Sequence, residues 1–265
     1  MKSSAFSYYL KSIVTLNAGV RNRSVLLKLL FDLPLDRPYQ VDLRDGTHFL
    51  ALTLMDLWVL KETILDRTYE KVGVPLQMGW TVVDIGAALG DFAIWAALQM
   101  STGRVIAVEP FPTSVELLQE NLHLNLLDNV SLCECAVASQ NGSSHLNLAT
   151  GEAAQHSTAG AGDTSSRIEV QTVTLADLFD TNNIQVCDYL KMDCEGAEYD
   201  ILMNAPADLL ARITRICMEV HDGVTHYSRV DLQQFLEANG YGVRITPNPV
   251  HENLAYLYAE RYSNP

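Results

Sequence analysis

The residue types able to do chemistry fall at the ends of apolar runs. The first group is Asp84-Ile-Gly86-Ala-Ala-Leu-Gly90, where a strand-like run breaks at two glycines and restarts as a helical pattern. Glycines let a backbone turn sharply and approach a ligand without Cβ interference. The spacing is GxxxG, not the GxGxxG that sets a helix N-terminus on a pyrophosphate. A carboxylate just before the first glycine opposes a phosphate and suits an amine or a hydroxyl. The second group is Glu109-Pro110, ending the apolar run "VIAV". A carboxylate at the end of a second strand can accept both hydroxyls of a ribose.

Together these groups fit the two ends of one adenosyl ligand that carries no phosphate. S-adenosylmethionine, with a sulfonium and an ammonium, meets that description. On this reading Asp84, Gly86, Ala87 and Gly90 face the methionyl part, Glu109 and Pro110 hold the ribose, and Cys135 and Ala136 of "ECAVAS" line the adenine slot.

Two further strand ends carry charge. In "LKMDCEGAEYD", Lys191, Asp193 and Glu195 alternate to one side, and Glu198 opens a helix. Charges at the end of a buried strand are costly unless paired or used, so an ion pair of Lys191 with Glu195 or Glu198 is one reading. In "CMEVHDG", Glu219 and His221 share a face and Asp222 takes the other. Asp193, Glu219 and His221 then converge as a general base for an acceptor hydroxyl, with His221 first in line. The same three could hold a divalent cation such as magnesium.

The elements that must position these groups follow from periodicity. Strands are expected at "TVVDIG", "RVIAVEP", "VSLCECAVA", "VCDYLKMD" and "RITRICMEV", with "YGVRI" and "NLAYLYAER" as an antiparallel finish. Helices are expected at "DFAIWAALQM", at "PTSVELLQENLHLNLL" capped by Thr113 or Ser114, at "EYDILMNA", and at "VDLQQFLEANG" stopped by Gly240. Strands alternating with helices imply an α/β protein with a doubly wound, mainly parallel sheet. Residues 139–169 are small and polar; they read as a surface insertion, or as a lid over the site, with a short hairpin around "SHLNLAT".

Residues 1–70 read as an N-terminal helical, capping segment and 71–265 as the ligand-binding domain. The first helices pack on the body or on a second copy, which would make a homo-oligomer. A membrane-surface role for Lys2, Lys11, Arg21, Arg23 and Lys28 is the second reading of that segment. Eighteen basic and 32 acidic side chains leave a net charge of −14 on 265 residues. That charge argues against nucleic acid and against an anionic membrane as partners. Cys133, Cys135, Cys187, Cys194 and Cys217 form no CxxC pair and read as buried thiols of a reduced, cytoplasmic protein.

The runs "VVDIGAALGDF", "GRVIAVEPFPTSVELLQENLHLN", "TVTLADLF", "YLKMDCEGAEYDIL" and "ICMEVH", in that order, resemble the FkbM-type family of S-adenosylmethionine-dependent methyltransferases over roughly residues 40–225. The resemblance implies a Rossmann-like class I methyltransferase fold and O-methylation of a small molecule such as a sugar or natural product. It also implies that Glu62 or Tyr69 lies near the methionine end of the cofactor. The family usually has Asn two residues after the first glycine of the turn, where this chain has Ala88. Two rival readings remain on the residues alone: a nicotinamide-dependent oxidoreductase and a non-catalytic binding module.

Overall fold

The structure, a computed structural model, describes residues 3–31, 33–147 and 167–262. Seven strands form the central sheet: β3 (Thr81–Ile85), β4 (Arg104–Val108), β5 (Val130–Cys133), β9 (Tyr189–Met192), β10 (Arg215–His221), β11 (Tyr241–Pro247) and β12 (Leu254–Arg261). Their order is β11-β12-β10-β9-β3-β4-β5, and β12 alone runs against its neighbours. The sheet is therefore the mainly parallel, doubly wound one expected, closed by the antiparallel β11–β12 pair.

Alternation along β3 explains why both faces are covered. Val82 joins an apolar cluster on one face, with Phe92, Trp95, Ala96 and Met100. Val83 and Ile85 join a second cluster on the other, with Leu178, Phe179, Tyr199 and Leu232. The first face is covered by α5 (Asp91–Gln99) and the N-terminal elements; α7 (Leu175–Thr181), α8 (Glu198–Met203) and α10 (Arg229–Ala238) cover the second. A buried strand between two helical layers reads as a continuous apolar run, as "TVVDI" does.

The N-terminal segment is more than helical. It contains α1 (Ser3–Gly19), α2 (Arg23–Leu30), a hairpin of β1 (Tyr39–Asp42) and β2 (His48–Ala51), then α3 (Leu54–Leu60), a π-helical turn (Lys61–Leu65) and α4 (Thr68–Val72). Asn121 and Asn125 of α6 (Pro112–Leu124 and its C-cap) pair with the free edge of β2. Asn121 accepts from Leu50 N–H (2.6 Å) and donates to Leu50 O and Leu89 O, while Asn125 does the same for His48. The outward faces of α1 and α2 expose Leu10, Ile13, Val14 and Leu27. Among the described residues, no helix is long and apolar enough to cross a membrane.

Three local expectations differ. "VSLCECAVA" is not one strand: β5 ends at Cys133, and β6 (Ala136–Val137) pairs with β8 (Arg167–Val173) in a separate sheet whose third strand is β7 (Gly142–Asn147), in the order β6-β8-β7. The partner of β7 is β8, on the far side of residues 148–166, which lie outside the described set. Helix α6 is capped by neither Thr113 nor Ser114; Phe111 holds the cap position and Pro112, with φ already set for a helix, begins it. The five cysteines are free thiols, with Cys187 and Cys217 fully buried.

Candidate active site

Because β3, β4, β9 and β10 are parallel, their C-terminal ends meet on one edge, and a cavity of about 810 Å³ opens there. The turn after β3 forms one wall. Gly86 has φ +77°, and a Cβ on it would lie 1.9 Å from Asp193 O, so the position admits only glycine. Gly86 and Ala87 N–H both donate to Val108 O at 3.0 and 3.1 Å, fastening the turn to β4.

Glu109 continues that fastening with its side chain. Its Oε2 accepts from Ala88 N–H (2.8 Å) and its Oε1 from Phe111 N–H (2.9 Å). Burial pushes this carboxyl up, and the two N–H donors and the Lys191 ammonium oppose the shift. Each oxygen keeps a lone pair for an outside donor. The turn and the carboxylate thus form one unit. Pro110, Cys135, Ala136, Val137 and Leu146 continue this end of the cavity; burial lifts the Cys135 thiol to about 11, so that wall is neutral.

Toward β9 and β10 the lining turns acidic: Glu62, Asp91, Asp193, Glu195 and Glu219 all face the cavity. The π-helical turn presents Glu62, whose Oε1 accepts from Trp58 Nε1 (3.0 Å) and from the Tyr8 hydroxyl. Thr63 of the same turn donates to Asp91 Oδ2 at 2.6 Å. Tyr69 donates to Asp193 Oδ2 at 3.2 Å. Burial, with Asp193 next, pushes Glu219 up to about 8 and Glu195 to about 7.

His221 lies among these acids, its Nε2 3.3 Å from Glu195 Oε2 and its Nδ1 3.7 Å from Glu198 Oε1. Burial disfavours its charge, yet Glu198, Asp193 and Glu195 outweigh burial and raise its pKa to about 10. At neutral pH it is an imidazolium. That rise works against the expected role of His221 as the first base.

Asp84 is corrected too. It has no exposed surface and does not line the cavity; it pairs with Lys191 Nζ at 3.1 Å. The reason is register, since Asp84 on β3 stands directly opposite Lys191 on β9. Lys191 in turn donates to Gly86 O at 3.0 Å, so the pair braces the turn from behind. Burial raises the Asp84 carboxyl and the Lys191 charge opposes it.

Of the residues expected at the site, Glu62, Gly86, Glu109, Pro110, Cys135, Ala136, Asp193, Glu219 and His221 line the cavity, while Ala87 and Gly90 sit behind it. A Cβ on Gly90 would strike Leu118, which makes that glycine a packing requirement between α5 and α6. The segment 222–230 does not reach the rim; Asp222 is engaged by Tyr199 and Arg229 instead. Sequence reasoning missed Asp91, the Tyr8–Tyr9–Trp58 wall and the β11–β12 turn. Only Asp91, one residue past the second glycine, carried a local signal.

Among the described residues one cluster, Asp193, Glu198 and His221, brings ligand-type atoms within 4.8 Å of one another. Its chemistry suits magnesium poorly. Both Glu198 oxygens already accept N–H bonds, from Cys194 (2.6 Å) and Gly196 (2.9 Å), and the histidine is held protonated. Magnesium prefers a near-ideal oxygen octahedron.

A mainly parallel sheet of this order with one reversed strand, flanked by helices and opening on a glycine turn tied to a carboxylate, is the fold of S-adenosylmethionine-dependent methyltransferases. Residues 84–243, more than half of the chain, match the family described as the Methyltransferase FkbM domain, and the chain belongs to it. The 31-O-demethyl-FK506 methyltransferase FkbM of Streptomyces tacrolimicus is 27% identical over 194 residues, covering 62% of this chain and 74% of that protein. The AMB antimetabolite synthetase AmbE of Pseudomonas aeruginosa is 25% identical over 252 residues, which are 80% of this chain and 12% of that protein. The solved methyltransferase FkbM of Methylobacillus flagellatus KT is 14% identical with a TM-score of 0.47, over 77% of this chain and 53% of that one.

Proposed function

We propose that this chain transfers a methyl group from S-adenosylmethionine to a hydroxyl oxygen of a small-molecule acceptor. The observation that carries the reading is the unit made by Glu109 and the turn, with Ala88 and Phe111 N–H on its two oxygens. The cofactor supplies an electrophilic methyl group on a sulfonium. Glu109 would hold the ribose hydroxyls, and Pro110, Cys135 and Ala136 the adenine side. Glu62 and Asp91 are the carboxylates for the methionyl ammonium. A pyrophosphate would meet acids there, which disfavours the nicotinamide reading.

An alcohol needs to lose its proton as its oxygen attacks. Glu219, pushed up to about 8, keeps an ionised fraction near neutral pH that can take a proton, and that fraction is larger than the neutral fraction of His221, raised to about 10. In this mechanism Glu219 takes the hydroxyl proton, Asp193 is oriented by Tyr69, and the His221 imidazolium offsets the surrounding negative charge. The name of the Streptomyces relative, a methyltransferase for a 31-O-demethyl compound, supports oxygen as the acceptor atom. A divalent cation is not part of this reading, so chelation should leave turnover unchanged.

The test is calorimetric titration with S-adenosylhomocysteine, with NAD run in parallel. The expected result is micromolar binding of the first alone. Charge-assisted hydrogen bonds contribute about 1.5–3 kcal/mol each, so Glu109→Ala should weaken it about 100-fold, with Glu109→Gln as the control that preserves shape. Methyl transfer from 13C-labelled cofactor should then yield an O–CH3 carbon signal in a hydroxylated small molecule. Binding of NAD, or of neither ligand, would overturn the reading; label appearing only on nitrogen would overturn its choice of oxygen.

A further inference from the structure

The cavity continues past the acids. Over β9, β10 and β12 its lining passes to Tyr8, Tyr9, Leu54 and Trp58, and the rim is completed by the β11–β12 turn, residues 248–253. The three aromatic rings form one group: Tyr8 and Tyr9 lie 5.9 and 5.6 Å from Trp58, and 5.7 Å from each other. The group is fixed from below. Fully buried Lys61 sets its ammonium 4.3 Å from the Tyr8 ring and 4.8 Å from that of Trp58, and pairs with Asp66 at 2.7 Å. Tyr9 is 40% exposed, so part of this aromatic surface faces outward. Sites for small molecules occupy about 300–1,000 Å³, and 810 Å³ leaves room for an acceptor beside a cofactor.

Charge decides what that acceptor can be. No arginine lines the cavity among the described residues; its basic side chains are Lys191, His221 and His251. Lys191 is taken by Asp84 and Gly86 O, and His221 sits between Glu195 and Glu198. His221 Nδ1 is buried without a hydrogen-bond partner on this same lining. Against these stand the carboxyl groups of Glu62, Asp91, Asp193, Glu195 and Glu219, of which Glu195 and Glu219, raised to about 7 and about 8, carry only part of a negative charge near neutral pH. An anionic group there meets those carboxyl groups and finds no guanidinium or free ammonium, and the His221 ring, whose Nδ1 lacks a hydrogen-bond partner, is already flanked by Glu195 and Glu198. An aromatic body finds rings to pack on, and an ammonium finds both rings and carboxylates.

We propose that the Tyr8–Tyr9–Trp58 wall and the β11–β12 turn form the acceptor subsite, and that it takes a hydroxylated aromatic molecule that is neutral or cationic and rejects phosphorylated and carboxylated ones. This rests on the reading of the site as a methyl-transfer centre. The recognition itself is a property of the cavity.

The experiment uses three probes with one ring and three charges: tyramine, tyrosol and 4-hydroxyphenylacetate. Each is titrated by ligand-observed NMR into the full chain saturated with S-adenosylhomocysteine. Tyramine and tyrosol should bind at least tenfold more tightly than 4-hydroxyphenylacetate. Tyr9→Ala should weaken the first two severalfold with the affinity for S-adenosylhomocysteine unchanged, which also shows the variant folded. Glu195→Gln should narrow the gap between tyramine and 4-hydroxyphenylacetate. Equal binding of all three probes, or indifference of tyrosol to Tyr9→Ala, would overturn the proposal. If S-adenosylhomocysteine itself does not bind, the cofactor reading fails separately. The probe series on the free protein then tests the subsite, with thermal melting as the folding control.

Discussion

Ala88 occupies the left-handed region, φ +45°, between two glycines that adopt positive φ for clear reasons. An L-residue there costs about 1–2 kcal/mol, and its N–H is the donor that Glu109 needs. Ala88→Gly should therefore stabilise the chain by about 1 kcal/mol, read as a rise in Tm of a few degrees, with cofactor affinity kept because the contact is through backbone. A fall in Tm would mean that the Ala88 methyl group, which packs against the core, outweighs the strain. The acids of the site make a second residue-scale prediction. Glu219 rises from 4.5 to about 8 in the folded chain, so stability is full below 4.5 and is lost as pH climbs through about 8. His221 rises from 6.5 to about 10, so its contribution is full below 6.5 and is lost as pH climbs through about 10. Both slopes have the same sign, and Tm should fall between pH 6 and pH 10. Glu219→Gln should flatten the fall below pH 8 and leave the later part; a wild-type Tm that rises over this range would contradict both assignments.

At the scale of elements, the alternation of strands and helices was readable because the buried strands are short apolar runs and the helices longer ones set off by glycine, proline and polar residues. What could not be read were relations between distant segments. Asp84 meets Lys191 only because β3 and β9 pair in one register, and nothing in "VVDIG" announces a partner more than a hundred residues away. The break between β5 and β6 was hidden for the opposite reason, since "VSLCECAVA" reads as one mostly apolar run, with Glu134 its single charge, while the chain leaves one sheet for another. The π-helical turn that presents Glu62 and Thr63 has no sequence signature, though such turns recur at functional sites. The glycine turn, Glu109, Asp193 and Glu219 were legible because their types are unusual where they stand. Asn121 shows what one side chain can do between elements: it has no exposed surface and serves Leu50 N–H, Leu50 O and Leu89 O. Removing one buried partner costs about 1–3 kcal/mol for each group left unsatisfied. Asn121→Ala should thus cost about 3 kcal/mol and expose the Leu50 amide to hydrogen exchange before the amides of β3. Unchanged protection at Leu50 would show that water replaces the side chain.

For the whole molecule, charge bounds the partner more firmly than fold does, because a doubly wound sheet of this kind hosts many activities. With 32 acids against 18 bases the chain is net −14, and the cavity where a substrate must enter is lined by acids with its one lysine already paired. Binding to a nucleic acid draws on Lys and Arg contacts that release counterions, and its affinity then falls steeply as salt rises. This chain offers no cationic track into the site among the described residues. Fluorescence anisotropy with labelled tRNA and single-stranded RNA at about 50 mM salt should show no saturable binding, and no salt-dependent slope as ionic strength increases. Tight binding with a slope of several contacts would require a basic surface that the acids do not cancel, and would move the acceptor from a small molecule to RNA. Weak binding that grows with added salt would point to screening of repulsion, which leaves the small-molecule reading standing. The sign of the salt dependence is therefore the informative quantity, since the acidic cavity lets a polyanion approach only when that repulsion is screened.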